Sequence, residues 1–311
     1  MKKNVLQQTM AVWFLAMICC LLWGSATPSI KTGYALYEIG AGDTASQITF
    51  AGIRFFIAGV LTVIFGSVGQ KRLLIPEKKD IPMIIKLSIF QTILQYIFFY
   101  IGLAHTPGVK AAIIVAANVF FAILIASLIF HQEILTAKKI IGCLTGFAGV
   151  VLINLNGTGL DLGFHWNGEL MVLLSTIAYA LSSVFIKRYS EAADPVLLSG
   201  WQFAFGGLVM AAAGFFMGGR VSWHGIPAAA LLLYMAFISS VAYTIWAILL
   251  KYNPVSRVTV FGFMNPVFGV LLSALLLKER GQAFSIRGLT SLLLVCIGIY
   301  IVNKKDLSSE A

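Results

Sequence analysis

The stretch VAANVFFAILIASLIFHQEILTAKKIIG, Val115 to Gly142, returns in altered form as FGFMNPVFGVLLSALLLKERGQAFSIRG, Phe261 to Gly288. Each is an apolar run that closes on a glutamate, Glu133 or Glu279, and reaches a glycine nine residues later, Gly142 or Gly288, so both landmarks recur at an offset of 146. Farther out, Pro107 matches Pro254 and Tyr96 matches Tyr243 at 147, Arg54-Phe55 matches Gln202-Phe203 at 148, and Lys31 matches Lys187 at 156. The chain therefore reads as two copies of one unit, residues 1–155 and 156–311. A repeat constrains architecture before any local assignment does.

Hydrophobic residues make up 59% of the chain and charged residues 11%, against about 45–50% and about 25% in soluble domains. That composition belongs in lipid. A membrane span takes about 20 apolar residues, and ten stretches qualify, near 11–30, 47–66, 82–103, 111–130, 138–154, 168–187, 196–217, 227–250, 257–277 and 286–302. Five spans per copy is an odd number, so the second copy enters the bilayer from the opposite side. The predicted fold is an all-α membrane protein of ten transmembrane helices in two inverted five-helix repeats, the plan of many secondary carriers.

Of the 22 lysines and arginines, 14 fall in loops on the side of the N-terminus, among them Lys71, Arg72, Lys138, Lys139, Lys187 and Arg257, against 6 on the other side. The bias toward positive cytoplasmic loops places both termini in the cytoplasm. It also explains the net charge of +10 by sidedness, so no nucleic-acid partner is expected. Lys2-Lys3 followed by the apolar run Ala11 to Trp23 and Gly24-Ser25-Ala26 has the form of a cleaved leader. Against it, Trp23 and Lys31 recur as Tyr179 and Lys187 in the second copy. The four cysteines lie in spans without metal-ligand spacing, the four histidines show no zinc-helix spacing, and no Gly-Lys-Ser/Thr phosphate loop occurs. No cofactor, metal or catalytic set is predicted.

Pro28 and Pro266 interrupt spans one and nine, crowding the carbonyls of Gly24 and Gly262 four residues back. Such a break is tolerated in lipid only where protein or a wet cavity satisfies the freed carbonyl. For Pro28 a packing kink stands beside the cavity reading; for Pro266, preceded by Asn265 in mid-span, the cavity is expected. Span three carries Gln91, Gln95, Tyr96, Phe98 and Phe99, span four Asn118, and span eight Ser239, Tyr243 and Trp246. Their amides and hydroxyls must face other helices or a cavity. Each alone suits interhelical glue; as a set, with Trp23, they resemble an organic-solute pocket. Arg54 is the one basic residue well inside a span, about seven residues or roughly 10 Å from its outer end. It either snorkels outward or binds a carboxylate or phosphate. No carboxylate sits at mid-membrane, so proton-for-cation exchange through a buried acid is not expected. Glu133 and Glu279 cap the following helices or pair with Lys138 and Arg287, with gating as the alternative. Gly142-x-x-x-Gly146 and Gly206-Gly207 read as close helix packing.

Trp23-Gly24-x6-Lys31, Arg54-Phe55, and the two apolar blocks ending in Glu133 or Glu279 with Gly142 or Gly288 nine on resemble the EamA-type members of the drug/metabolite transporter superfamily. Asn265-Pro266 falls where that family has its second-block proline, whereas Phe120 occupies the corresponding place in the first block, so the two breaks need not be symmetric. The resemblance covers roughly residues 12 to 303. It implies a central cavity between inverted repeats and outward transport of small metabolites.

The resulting expectation is a multi-pass carrier of the cell (inner) membrane, not an enzyme, monomeric or homodimeric, in contact with membrane lipid and a small-molecule metabolite. Amino-acid-like solutes come first, with nucleoside, vitamin or drug-like solutes as the alternative; a passive channel, an intramembrane enzyme and a non-transporting scaffold are the rival classes.

Overall fold

Polar residues at the membrane surfaces punctuate the apolar sequence, and the helices start where they stand. The structure, a computed structural model, describes residues 5–40, 42–106, 108–154, 166–276 and 286–304. Every regular element among these residues is helical. Helix α1 is Thr9–Leu36. Asp43 opens α2, Thr44–Gln70, by accepting the Ser46 N–H at 3.0 Å, a bond that also holds its carboxyl below the usual carboxylate range. Asp194 opens α9, Pro195–Phe216, by accepting the amides of Val196 and Leu197 at 2.8 and 3.2 Å, with Pro195 in the first position, where its missing N–H costs nothing.

Span three is α3, Ile81–Leu87, a π-helical segment Ser88–Leu94, and α4, Gln95–His105. Then come α5, Gly108–Ala116, α6, Asn118–Leu124, and α7, Ala137–Asn154. After residues 155–165, α8 is Met171–Tyr189 and α10 is Ile226–Tyr252. The short α11, Val255–Thr259, passes through a 3-10 turn, Val260–Phe263, into α12, Met264–Leu276, and α13 is Ile286–Asn303. Among the described residues six helical segments are long and apolar enough to cross a membrane: Thr9–Leu36, Thr44–Gln70, Ile81–Leu103, Trp166–Tyr189, Pro195–Phe216 and Ile226–Tyr252. Ile113–Ile129 and Gly288–Asn303 are shorter apolar helices.

Glycines decide how these helices meet. A Cβ built on Gly59 of α2 would run into the backbone of Ala204 on α9, and one on Gly52 into the backbone of Ala211. Contacts progress from Thr49 beside Gly214 to Gly66 beside Val196, so α2 and α9 lie backbone to backbone and antiparallel. Helices α7 and α13 are antiparallel as well, Gly142 lying against Gly298 and Val302 while the Ser291 hydroxyl donates to the Gly149 carbonyl at 2.6 Å. Small residues supply this approach where lipid offers helices no hydrophobic drive to associate. Helix α1 packs on α10 and α12; α8 packs on α4 and α6.

The expected interruption at Pro28 is corrected: α1 runs through it unbroken. Abandoning the helix in lipid would free many backbone groups, whereas one proline removes a single bond. The Ser29 and Thr32 hydroxyls donate to the carbonyls of Ser25 and Pro28, bracketing the site. Gly24 is pressed so closely on α12 that an added Cβ would stand 2.5 Å from Phe268 Cβ. The first block, which lacks a proline, does break, at Ala117, whose N–H reaches back only to the Ile114 carbonyl.

Candidate solute-binding interior

The two broken segments bring amides together. Asn118 begins α6 directly after the Ala117 break. Gly262 lies in the 3-10 turn, and Asn265 and Pro266 sit in the first turn of α12, where no intrahelical partner is due to the proline nitrogen. Asn118, Gly262 and Asn265 line one cavity with Ala122, Tyr179, Ser183, Trp246 and Thr259. Its volume is about 10 Å³, room for roughly one water. The organic-solute pocket expected from the sequence is thus far smaller than a solute, with aromatic rings packed against one another beside it. Trp23 stands edge-on to Tyr243 and Trp246 at 5.0 and 4.9 Å, and Tyr179 edge-on to Tyr243 at 6.4 Å.

At and beside the wall stand unsatisfied polar atoms: Trp246 Nε1 and Asn265 Oδ1 on the cavity lining and Trp23 Nε1 next to it are enclosed without a hydrogen-bond partner. Such atoms are costly to leave unpaired, which leaves them available to a polar ligand. Beyond the rings, the Tyr96 and Tyr243 hydroxyls share a hydrogen bond at 3.2 Å. Arg54 follows, buried, its guanidinium 5.9 Å from the centre of the Tyr96 ring; the outward snorkel does not occur. Gln91 and Gln95 stand apart from the cavity lining. Gln91 is buried in the π-helical segment, and Gln95 at the start of α4 has its Oε1 enclosed and unpartnered. Tyr96→Phe and Tyr243→Phe are each expected to lower stability by about 1 kcal/mol. The double variant should lose little more than either single, as read from unfolding midpoints in detergent.

Tyr179, Ser183 and Thr259 escaped the sequence reading as wall residues. Tyr179 was visible as the counterpart of Trp23, and Ser183 lies one turn along the same face. Thr259 gave no signal, since its exposure to the cavity depends on the 3-10 turn that follows it.

Glu133 is placed differently from the expectation. Its carboxylate accepts the Ser256 N–H at 3.0 Å and hydroxyl at 2.7 Å, at the start of α11, and pairs with Lys139 at 3.2 Å. The expected caps on α7 and pairing with Lys138 are therefore corrected to α11 and Lys139. The α11 terminus sits in front of the carboxylate because Lys187 Nζ grips the carbonyls of Leu250 and Asn253, fixing the end of α10 that leads into it. Glu279 lies outside the described residues. Among the described residues no group of His, Cys, Asp and Glu could hold a metal ion.

Membrane-length helices around a small, uncharged polar cavity are those of an integral membrane protein. The EamA-like transporter family matches residues 10–155 and 166–304, and the chain belongs to it, as an EamA-type member of the drug/metabolite transporter superfamily. It is 26% identical to an uncharacterized transporter of Bacillus subtilis over 98% of this chain and 95% of the relative. It is 24% identical to a probable amino-acid metabolite efflux pump of Escherichia coli over 92% and 93%. A solved crystal structure superposes with a TM-score of 0.75 at 16% identity, covering 94% of this chain and 96% of the other, which establishes likeness of fold.

Proposed function

We propose that this protein is a secondary carrier of the cell membrane that exports small organic metabolites, amino-acid-like solutes first, by alternating access between two inverted repeats, 1–155 and 156–311. Each repeat contributes five of ten spans, with both termini cytoplasmic. The observation that carries the reading is the neutral cavity between the halves, with Asn118 and Ala122 from one and Asn265, Trp246 and Tyr179 from the other. The inversion is supported by the antiparallel seams of α2 on α9 and α7 on α13. Repeat-related helices that meet antiparallel suit a dyad lying across them. The hydrogen bond between the repeat-related Tyr96 and Tyr243 fits the same arrangement. The amino-acid preference draws on the relative named as an amino-acid metabolite efflux pump.

Because the cavity holds about one water, loading a solute requires the halves to part. Glu133, from the first half, holds α11 of the second and serves as the latch on its face.

Proteoliposomes loaded in turn with labelled amino acids, nucleosides and sugar phosphates test the proposal. Saturable flux with counterflow for amino acids is expected, and Asn265→Leu should lower it about tenfold or more, since a buried donor or acceptor left unpaired costs about 1–3 kcal/mol. Unsaturable flux without counterflow would make the protein a channel, and flux confined to another solute class would remove the amino-acid assignment.

A further inference from the structure

Arg54 lies ten residues into α2, roughly 15 Å along its axis and well inside the apolar segment. It is 4% exposed. Its guanidinium carbon stands 4.4 Å from the centre of the Phe55 ring, yet Nε is enclosed without a hydrogen-bond partner. Among the described residues no carboxylate pairs with it. Beside it the Tyr34 hydroxyl is likewise enclosed, with the Tyr100 side chain as its neighbour. A guanidinium cannot shed its charge, and an unpaired charge away from water is strongly unfavourable. Ring faces compensate only part of that.

Packing does not demand the charge. At the matching place in the second copy, Gln202 is fully buried and its Oε1 accepts the Thr92 hydroxyl at 2.8 Å, so this position accommodates a neutral side chain. From Arg54 a chain of contacts runs through Tyr96 and its hydroxyl partner Tyr243 to Tyr179 of the Asn118–Asn265 cavity wall. Parting of the Tyr96–Tyr243 pair would open a path between guanidinium and cavity.

We infer that Arg54, with the Tyr34 hydroxyl, is an oxyanion subsite that receives the carboxylate of the transported solute, while the amides of Asn118 and Asn265 receive its neutral polar end. The inference rests on the carrier reading and narrows its substrates to solutes bearing a carboxylate, or a phosphate with the same oxyanion chemistry. Purely cationic and uncharged solutes are excluded. Arg54 is the one arginine buried in the interior among the described residues, which corresponds to one anion bound per cycle.

The test uses the full-length protein purified in detergent, with 3-phenylpropionate, its neutral amide and inorganic phosphate as probes, read by the thermal unfolding midpoint. The carboxylate should raise the wild-type midpoint saturably and the amide should not. Arg54→Gln should weaken the carboxylate about tenfold to a hundredfold, while the unliganded midpoint rises by about 2–4 °C because an unpaired buried charge is gone. Arg54→Lys should retain part of the response. Response to phosphate alone keeps the oxyanion subsite and assigns phosphate esters as the substrate class. Equal response to acid and amide, no response to either anion, or an Arg54→Gln protein whose unliganded midpoint falls overturns the proposal. If no solute crosses proteoliposomes while Arg54-dependent binding persists, the carrier reading fails and the subsite stands. If Arg54→Gln still transports carboxylates selectively, the subsite fails and the carrier stands.

Discussion

Replacing Gly59 with leucine is expected to remove nearly all folded protein from the membrane. The new Cβ would meet the backbone of Ala204 and stand 2.6 Å from the Gly200 carbonyl oxygen. Neither can rotate away, so α2 and α9 must separate. Overpacking a core costs about 1–3 kcal/mol where side chains can shift; here the adjustment falls on a seam running from Thr49–Gly214 to Gly66–Val196, roughly five helical turns. Lipid is as apolar as the helix surfaces, so dispersion contact is most of what joins them, and a small gap forfeits much of it. Gly69→Leu is the control, since nothing lies within 4 Å of a Cβ built there. Size-exclusion profiles of detergent extracts should show a monodisperse peak for Gly69→Leu and aggregate for Gly59→Leu. Equal peaks would mean the seam is not the joint on which the fold depends.

The second large effect is expected at Glu133. Its carboxylate is nearly buried, as is most of Lys139, their side chains being 6% and 16% exposed, and the Ser256 amide and hydroxyl depend on it. Removing one member of such a set costs about 3 kcal/mol or more, on the order of a hundredfold in the balance between closed and open forms. Glu133→Gln should therefore favour the form open on the Glu133 face. Thr259→Cys, on the cavity wall, placed in a chain whose native cysteines are alanine, reports this through its rate of labelling by an impermeant maleimide from that face. Acceleration of tenfold or more is the expected result. Unchanged labelling would make the carboxylate a static cap.

Much of this protein was legible locally. Hydropathy marks the membrane helices, and the two glutamate-closed blocks mark the family. Pro28 misled because proline is a local signal whose outcome depends on surroundings: α1 is clamped at Gly24 by α12, and the helix persists. Ala117 was invisible for the opposite reason, since nothing in alanine announces a break. Glu133 was assigned neighbours within a turn of itself, whereas its partner Ser256 lies 123 residues away.

The sequence by itself determined the environment, the helical segments and the inventory of amides, aromatics and one mid-span arginine, because burial in lipid and helical periodicity act residue by residue. Only the tertiary structure decided that Tyr96 meets Tyr243, that Arg54 turns inward with no acid paired to it among the described residues, and that the cavity has room for about one water. Those outcomes depend on how far each helix is rotated and how closely it approaches its neighbour, which steric fit between distant segments settles and no single stretch encodes.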